Sequence, residues 1–156
     1  MTSHLYQLAQ VVAVVGWVLM AVEYISTLLM LPWTFRFGIP VWRRELSTAT
    51  SEVPADTENA VVKIVTPSEW VFRHKFSLFG FQSPLPIRGT VRRGAQGITV
   101  TGRQPLGGAL FLFGWAVFMG LPFGLLLAGG FYLLASLIER ARFERAWDEL
   151  SPLAKS

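Results

Sequence analysis

The sequence predicts an integral membrane protein of the α+β class, in which two transmembrane helices flank a small antiparallel β-sheet module. Hydrophobic residues make up 52% of the 156 residues and charged residues only 15%, below the roughly 25% usual in soluble domains. Two long stretches have almost no charged side chains. Between them, apolar and polar residues alternate with the period of a strand.

The first predicted transmembrane helix covers residues 5–31, where Glu23 is the only charged side chain. A hydrocarbon core of about 30 Å needs roughly 20 helical residues, so this segment is long enough to cross. No Lys or Arg precedes the apolar run, which favours a retained anchor over a secretory signal peptide. Pro32 and Trp33 then favour the end of the helix at the level of the lipid headgroups.

Residues 32–105 have the composition of a small folded module that includes a polar linker at 46–59. The alternation in 70–76 predicts a strand with one face formed by Trp70, Phe72, His74 and Phe76. Further strands are predicted at 61–65, 87–93 and 97–103, the last two joined by a hairpin connection at Gly94, Ala95 and Gln96. So few residues provide little core, and we expect the sheet to pack on the membrane surface, on the helices or on a partner.

The second predicted transmembrane segment covers residues 106–138, which would measure about 50 Å as one helix. Pro122 divides it into halves that are each too short to cross, so we expect one tilted or kinked helix rather than a two-helix hairpin. In residues 139–156 charges of both signs alternate, and Phe143, Trp147 and Leu150 form an apolar stripe. This pattern predicts an amphipathic helical tail at the membrane interface.

Several kinds of chemistry lack the residues they need. The sequence has no Cys and only two His residues, His4 and His74, which have no neighbours for a catalytic triad or a metal site. Gly107 and Gly108 are not followed by the Lys and Ser or Thr of a phosphate-binding loop. We therefore predict no catalytic, cofactor-binding or metal-binding residues and no enzymatic activity.

Small residues recur every four positions in the second apolar segment, at Ala116, Gly120, Gly124 and Ala128. On one continuous helix they would share a face, and small residues let helices approach closely in lipid. The sequence therefore predicts a helix-packing face whose partner is either a foreign helix or the first span, through Ala9, Ala13 and Gly16.

Glu23 is a second candidate for a contact within the membrane. An acidic residue near a helix centre costs roughly 2.5–3.5 kcal/mol, so such residues usually turn toward protein. Neither span contains Lys or Arg, and we expect any cationic partner to come from another chain or from the membrane edge. The alternatives are a neutral carboxyl bonded to Ser26, Thr27 or a backbone carbonyl, and a proton relay.

Arginines cluster in the sequence next to both spans. The candidates for contact with anionic headgroups or with a partner are Arg36, Arg43, Arg44, Arg92, Arg93 and Arg103. Residues 32–105 carry 10 basic and 5 acidic side chains, a net charge of +5. The positive-inside tendency then predicts a cytoplasmic middle module with both termini on the other side, in a bacterial inner membrane. A solvated strand face explains Arg73 and Lys75 equally well.

Three functions fit these features. The first is a non-catalytic accessory subunit of a larger membrane complex, for example a respiratory or photosynthetic assembly, with other integral membrane subunits as partners. The second is a membrane-anchored signalling or headgroup-binding module with anionic lipids as partners. The third is a small transporter or proton-conducting subunit that uses Glu23. No nucleic-acid partner and no small-molecule substrate are predicted.

Overall fold

The computed structural model describes residues 2–46, 55–75, 85–95, 97–120 and 122–153. The chain is α+β, with four helices and a five-stranded antiparallel sheet in these residues. The helices are α1 (Thr2–Leu28), α2 (Pro32–Arg36), α3 (Leu106–Phe118) and α4 (Phe123–Leu153). The strands are β1 (Ile39–Leu46), β2 (Ala60–Thr66), β3 (Glu69–His74), β4 (Arg88–Gly94) and β5 (Gly97–Gln104).

Three antiparallel segments form what we call the helical layer: α1, α3 and the apolar first half of α4. The backbone of α3 lies against that of α1, so close that a Cβ atom added at Gly16 would overlap the backbone of Phe111. Near the start of α1, the Tyr6 hydroxyl donates to the Phe118 carbonyl over 3.1 Å. The start of α1 therefore lies beside the end of α3, and the opposite end of the layer meets the sheet.

The expectation of one helix over residues 106–138 is wrong, because the segment folds as a hairpin of α3 and α4. The helix stops at Phe118, and Gly120 adopts a left-handed φ of +87° that reverses the chain. Pro122, which has no N–H to donate, follows in the connection. The length argument against a hairpin holds for α3, which has 13 residues, but fails for α4, which continues past Ile138 to Leu153, about 46 Å in all.

The sheet has the strand order β1-β5-β4-β3-β2. Strands β2 to β5 match the four segments expected from the sequence, although Phe76 and Gln96 lie outside the described residues, as does 47–54 of the expected linker. Strand β1 was not expected, because Pro40 and the run of Arg43, Arg44 and Glu45 hide its period. It pairs with β5 from Ile39 opposite Gln104 to Leu46 opposite Ile98.

One face of the sheet has its core against the second half of α4. The rings of Phe72 and Phe143 lie 5.0 Å apart, and those of Trp70 and Trp147 lie 6.4 Å apart. Phe143, Trp147 and Leu150 are buried in this contact. Residues 139–153 are helical as expected, and the apolar stripe packs on the sheet's aromatic side chains instead of facing outward.

This packing also changes the arrangement of the chain ends. The C-terminal half of α4 lies on the sheet, whereas the start of α1 lies at the opposite end of the helical layer. The expectation that both ends lie opposite the module is wrong for α4. The hairpin leaves the sheet along α3 and returns to it along α4.

Two helices are long and apolar enough to cross a membrane, over Tyr6–Leu28 and Phe123–Ser151. Only 22% of each apolar window is buried inside the protein, less than a core helix of a soluble protein would show. The outward side chains are large and apolar, as at Val14, Trp17, Leu126 and Leu133. Helix α3 is apolar but has only 13 residues.

Candidate anion-binding site

The second face of the sheet, opposite α4, carries hydroxyl and guanidinium groups. Along β5 the side chains of Thr99, Thr101 and Arg103 point to this face, because alternate residues of a strand share a face. The register places Arg92 of β4 opposite Thr99 and Arg43 of β1 opposite Thr101. Three neighbouring strands therefore bring cationic side chains to one surface.

These side chains surround what we call the basic pocket, which has a volume of about 370 Å³. Its lining includes five arginines, three threonines and no acidic residue. The lining residues are Phe35, Arg36, Arg43, Thr90, Arg92, Arg93, Gly94, Thr99, Thr101 and Arg103. This is the composition of an anion site, since arginine forks and hydroxyl groups are the usual donors to phosphate and carboxylate.

Helix α2 forms one wall of the pocket. Pro32 begins it, and the Thr34 hydroxyl bonds the Leu31 carbonyl over 2.7 Å. Phe35 is fully buried against the sheet, where it packs with Met30 and Val71. The Thr90 hydroxyl donates to the Phe35 carbonyl over 2.9 Å, which fixes α2 on the sheet and holds Arg36 at the rim.

Glu69, at the start of β3, orients two of the arginines. Arg36 binds its carboxylate with a two-point fork, Nε to Oε1 at 3.1 Å and Nη2 to Oε2 at 2.8 Å. This pair raises the pKa of the Arg36 guanidinium above its ordinary value. Arg92 lies 3.6 Å from the same carboxylate, while Arg43 pairs with Glu45 at 2.6 Å. The arginines are thus partly ordered without a ligand.

Five of the six arginines singled out from the sequence line the basic pocket, and Arg44 does not. Arg44 follows Arg43 on β1, so its side chain points to the other face. Arg93 borders the pocket, but it lies opposite Ile98, so its side chain also points to the α4 face. The threonines, Phe35 and Glu69 were not expected from the sequence. The alternation of Thr99 and Thr101 around buried Val100 indicated a polar face, but nothing in the sequence showed that α2 would fold back beside it.

Beside the pocket, a buried ion pair joins the helical layer to the sheet. Glu23 of α1 and Arg88 of β4 are both buried, with Oε1 and Nη2 3.5 Å apart. Arg88 also donates to the Thr27 hydroxyl and to the Phe37 carbonyl, each over 3.3 Å. Burial lowers the pKa of Arg88. A cation of the same chain therefore faces Glu23, where the sequence suggested another chain or the membrane edge.

Glu23 also caps helix α3. Its carboxylate accepts the backbone N–H of Leu106 over 3.1 Å and that of Gly107 over 2.7 Å. Pro105 provides no side-chain cap for this helix, so the carboxylate of α1 takes that role and meets the positive end of the helix dipole. Among the described residues, Glu23 is thus bound by α3 and β4 at the junction of three elements.

The small residues expected to share one helix face are distributed over the hairpin. Ala116 of α3 meets Gly124 of α4, and Ala128 is buried in the same contact. Gly120 lies in the connection, where a Cβ atom would have no neighbour within 4 Å. A second close contact joins Ala13 and Gly16 of α1 to α3. Both contacts are made within the chain.

No protein family model, no characterised protein and no solved structure matches this chain. Within the described residues, no group of three or more His, Asp and Glu side chains could hold a metal ion. The feature of the described residues that points most directly to a ligand is the basic pocket beside the helical layer.

Proposed function

We propose that the protein is a membrane-anchored, non-catalytic module whose sheet binds anionic lipid headgroups at the bilayer surface. The observation that carries the proposal is the basic pocket, whose lining contains five arginines and three threonines but no acidic residue. Four of these arginines, all but Arg93, direct their side chains to the pocket face. Anionic headgroups offer phosphate oxygens to such donors.

The position of the pocket supports a lipid ligand. Helix α2, which forms its wall, follows directly on the apolar helix α1. Trp33 and Phe37 on either side of Arg36 have exposed rings, as is typical of residues at the headgroup level. In this proposal the outward apolar side chains of the helical layer contact lipid tails, and the sheet stands at the surface with its pocket within reach of headgroups.

The charge distribution agrees with this placement. All 14 Lys and Arg residues of the sequence lie between residues 36 and 155, after α1. Those within the described residues lie on the sheet side of the fold, and the positive-inside tendency then favours the cytoplasm for that side. Cytoplasmic leaflets carry the anionic lipids that attract basic surfaces.

Binding of short-chain lipids to the full chain in a zwitterionic or neutral detergent tests the proposal. We expect dioctanoyl phosphatidylglycerol to bind and dioctanoyl phosphatidylcholine to bind far more weakly, as measured by native mass spectrometry. Replacing Arg92 and Arg103 by Ala removes charge-assisted hydrogen bonds and is expected to weaken phosphatidylglycerol binding by about tenfold or more.

The matched control replaces Arg140 and Arg145, two exposed arginines of α4, by Ala. This variant loses the same net charge away from the pocket, and we expect its binding to stay close to that of the parent. Equal loss in both variants would point to general electrostatic attraction. Equal binding of the two lipids by the parent would refute the proposal.

The accessory-subunit role is our second candidate. Strand β1 is an edge of the sheet among the described residues, and a free edge can pair with a strand of another chain. Charged side chains at Arg43, Arg44 and Glu45 work against such pairing. Gentle solubilisation followed by mass spectrometry tests this candidate, and recovery of the chain without a stoichiometric partner would count against it.

A further inference from the structure

We propose that the basic pocket selects a lipid phosphomonoester, whose phosphate is terminal and carries two charges, over the singly charged phosphodiesters of most anionic lipids. This inference rests on the proposed function and names the ligand class of the same site. It follows from the charge of the pocket, from the direction of its donors and from its size.

The charge of the pocket exceeds what a phosphodiester can neutralise. Five arginines line it, and two carboxylates, Glu45 and Glu69, pair with three of them. Arg93 lies opposite Ile98, so its side chain points to the α4 face, and four arginines present their charge to the pocket. Four positive and two negative charges leave a net charge of +2. A phosphodiester brings one negative charge, whereas a phosphomonoester brings roughly 1.5 to 2 at pH 7. The monoester therefore matches the site better.

The donors approach the pocket from different elements. Arg92 comes from β4, Arg43 from β1, Arg103 from β5 and Arg36 from α2. Thr99, Thr101 and Arg103 are successive same-face positions on β5, about 6.7 Å apart. Arg92 lies opposite Thr99 and Arg43 lies opposite Thr101, so Arg92, Arg43 and Arg103 occupy three different heights along the strand. A terminal phosphate presents three unesterified oxygens to donors converging from several sides. A diester presents two, and its second ester substituent occupies the space through which one donor would approach.

The size of the pocket also suits a terminal phosphate with part of its headgroup. Its volume of about 370 Å³ lies within the range of sites for small organic ligands and exceeds what a phosphate group alone would fill. The hydroxyls of Thr99 and Thr101 lie on the floor, where they can donate to phosphate oxygens as the arginines close from the rim.

The test compares dioctanoyl phosphatidic acid, a monoester, with dioctanoyl phosphatidylglycerol, a diester, on the full chain in detergent. At pH 7.5 we expect the monoester to bind about tenfold more tightly, the equivalent of one additional charge-assisted contact. Lowering the pH to 5.0 protonates the monoester below its second pKa near 6, so its advantage should disappear while diester binding changes little.

The Thr99→Val, Thr101→Val variant keeps all five arginines and should lose part of the preference for phosphatidic acid. If both lipids bind equally at pH 7.5 and the Arg92→Ala, Arg103→Ala variant weakens both, the selectivity inference fails and the proposed function stands. If neither lipid binds, the proposed function itself fails. Soluble glycerol 3-phosphate binding as tightly as phosphatidic acid would overturn the lipid assignment.

Discussion

The carboxylate of Glu23 in α1 accepts the backbone N–H of Gly107 in the first turn of α3 over 2.7 Å. A side chain that looked like an unpartnered charge in an apolar helix is thus the cap of a neighbouring helix. Arg88 of the sheet lies on the same carboxylate, so one group joins α1, α3 and β4. Where the helical layer meets the sheet, the chain therefore satisfies its buried acid internally.

Replacement of Glu23 is expected to loosen this junction. Glu23→Gln keeps the size but turns one accepting oxygen into a donor, which faces the donors of Leu106, Gly107 and Arg88. We expect a loss of about 1–3 kcal/mol in the free energy of unfolding for Gln. For Glu23→Leu, which leaves Arg88 buried without its carboxylate, we expect about 3–5 kcal/mol. Thermal unfolding in detergent measures both.

A double mutant separates the ion pair from the cap. Arg88→Met combined with Glu23→Leu removes both charges, so the pair should lose less than the sum of the two single variants. The cap of α3 is still missing in the double variant, and it should stay below the parent in stability. Val22→Ala, at an exposed position one residue away, is the control. A Glu23→Gln variant as stable as the parent would contradict this account.

Two glycines of α4 provide a second prediction, in which Gly124 is the test position and Gly129 is its control. A Cβ atom at Gly124 would overlap the Ala116 carbonyl, whereas Gly129 has nothing within 4 Å. We expect Gly124→Ala to lower the free energy of unfolding by about 1–3 kcal/mol, as overpacking does. Gly129→Ala should be neutral or stabilise by up to about 1 kcal/mol, because Ala favours helix. Equal thermal midpoints for the two variants would show that α3 and α4 do not pack through Gly124.

These residues also show how far the sequence alone could lead. Local patterns, such as the alternation around Trp70 and Phe72, predicted strands β2 to β5 because a half-buried strand has a period of two. The partners of Glu23 depend on how α3 and β4 pack against α1, and the partner of the aromatic stripe at Phe143 and Trp147 depends on how α4 turns back at Gly120. The turn depends on the contact between the stripe and the sheet, whose residues are far apart in the sequence. Hydropathy along the chain therefore does not predict it.

For the candidate site too, the sequence predicted individual residues but not how they come together. Five arginines of the pocket were identified because they lie next to the apolar spans, a property of position in the sequence. Arg92 and Arg103 reach the pocket through the expected β4–β5 pair, whereas the approach of Arg43 to Thr101 depends on strand β1, which the sequence did not reveal. The register of β1 on β5 places Arg43 in the pocket and turns Arg44 away from it.

His74, at the end of β3, makes stability depend on pH. Burial, followed by the nearby charges of Arg142, Arg73 and Arg145, lowers its pKa below the ordinary value of about 6.5. As the pH falls below about 6.5 the unfolded chain binds a proton before the folded chain does, so stability decreases. The free energy of unfolding should decrease by at most about 1.4 kcal/mol per pH unit for one proton. Thermal midpoints measured from pH 7.5 to 5.5 should therefore fall.

The control for this prediction is His74→Gln, which removes the titrating group. Its thermal midpoint should vary less over the same pH range than that of the parent. His4→Gln, at an exposed position in α1, should leave the parent profile unchanged. If the His74 variant keeps the full pH dependence, another group is responsible.

The fold also makes a topological prediction that single cysteines can check, since the sequence contains none. Because the α3–α4 hairpin returns to the sheet, Ala95→Cys in the β4–β5 turn and Glu144→Cys in α4 should lie on the same side of the membrane. His4→Cys, at the start of α1, should lie on the other side. In intact cells an impermeant maleimide is expected to label His4→Cys only, and permeabilisation should expose the other two sites.

Labelling of Ala95→Cys and Glu144→Cys together, with His4→Cys protected, would reverse the orientation and keep the fold. Opposite behaviour of Ala95→Cys and Glu144→Cys would mean that the second apolar segment crosses once, and the hairpin would then be wrong.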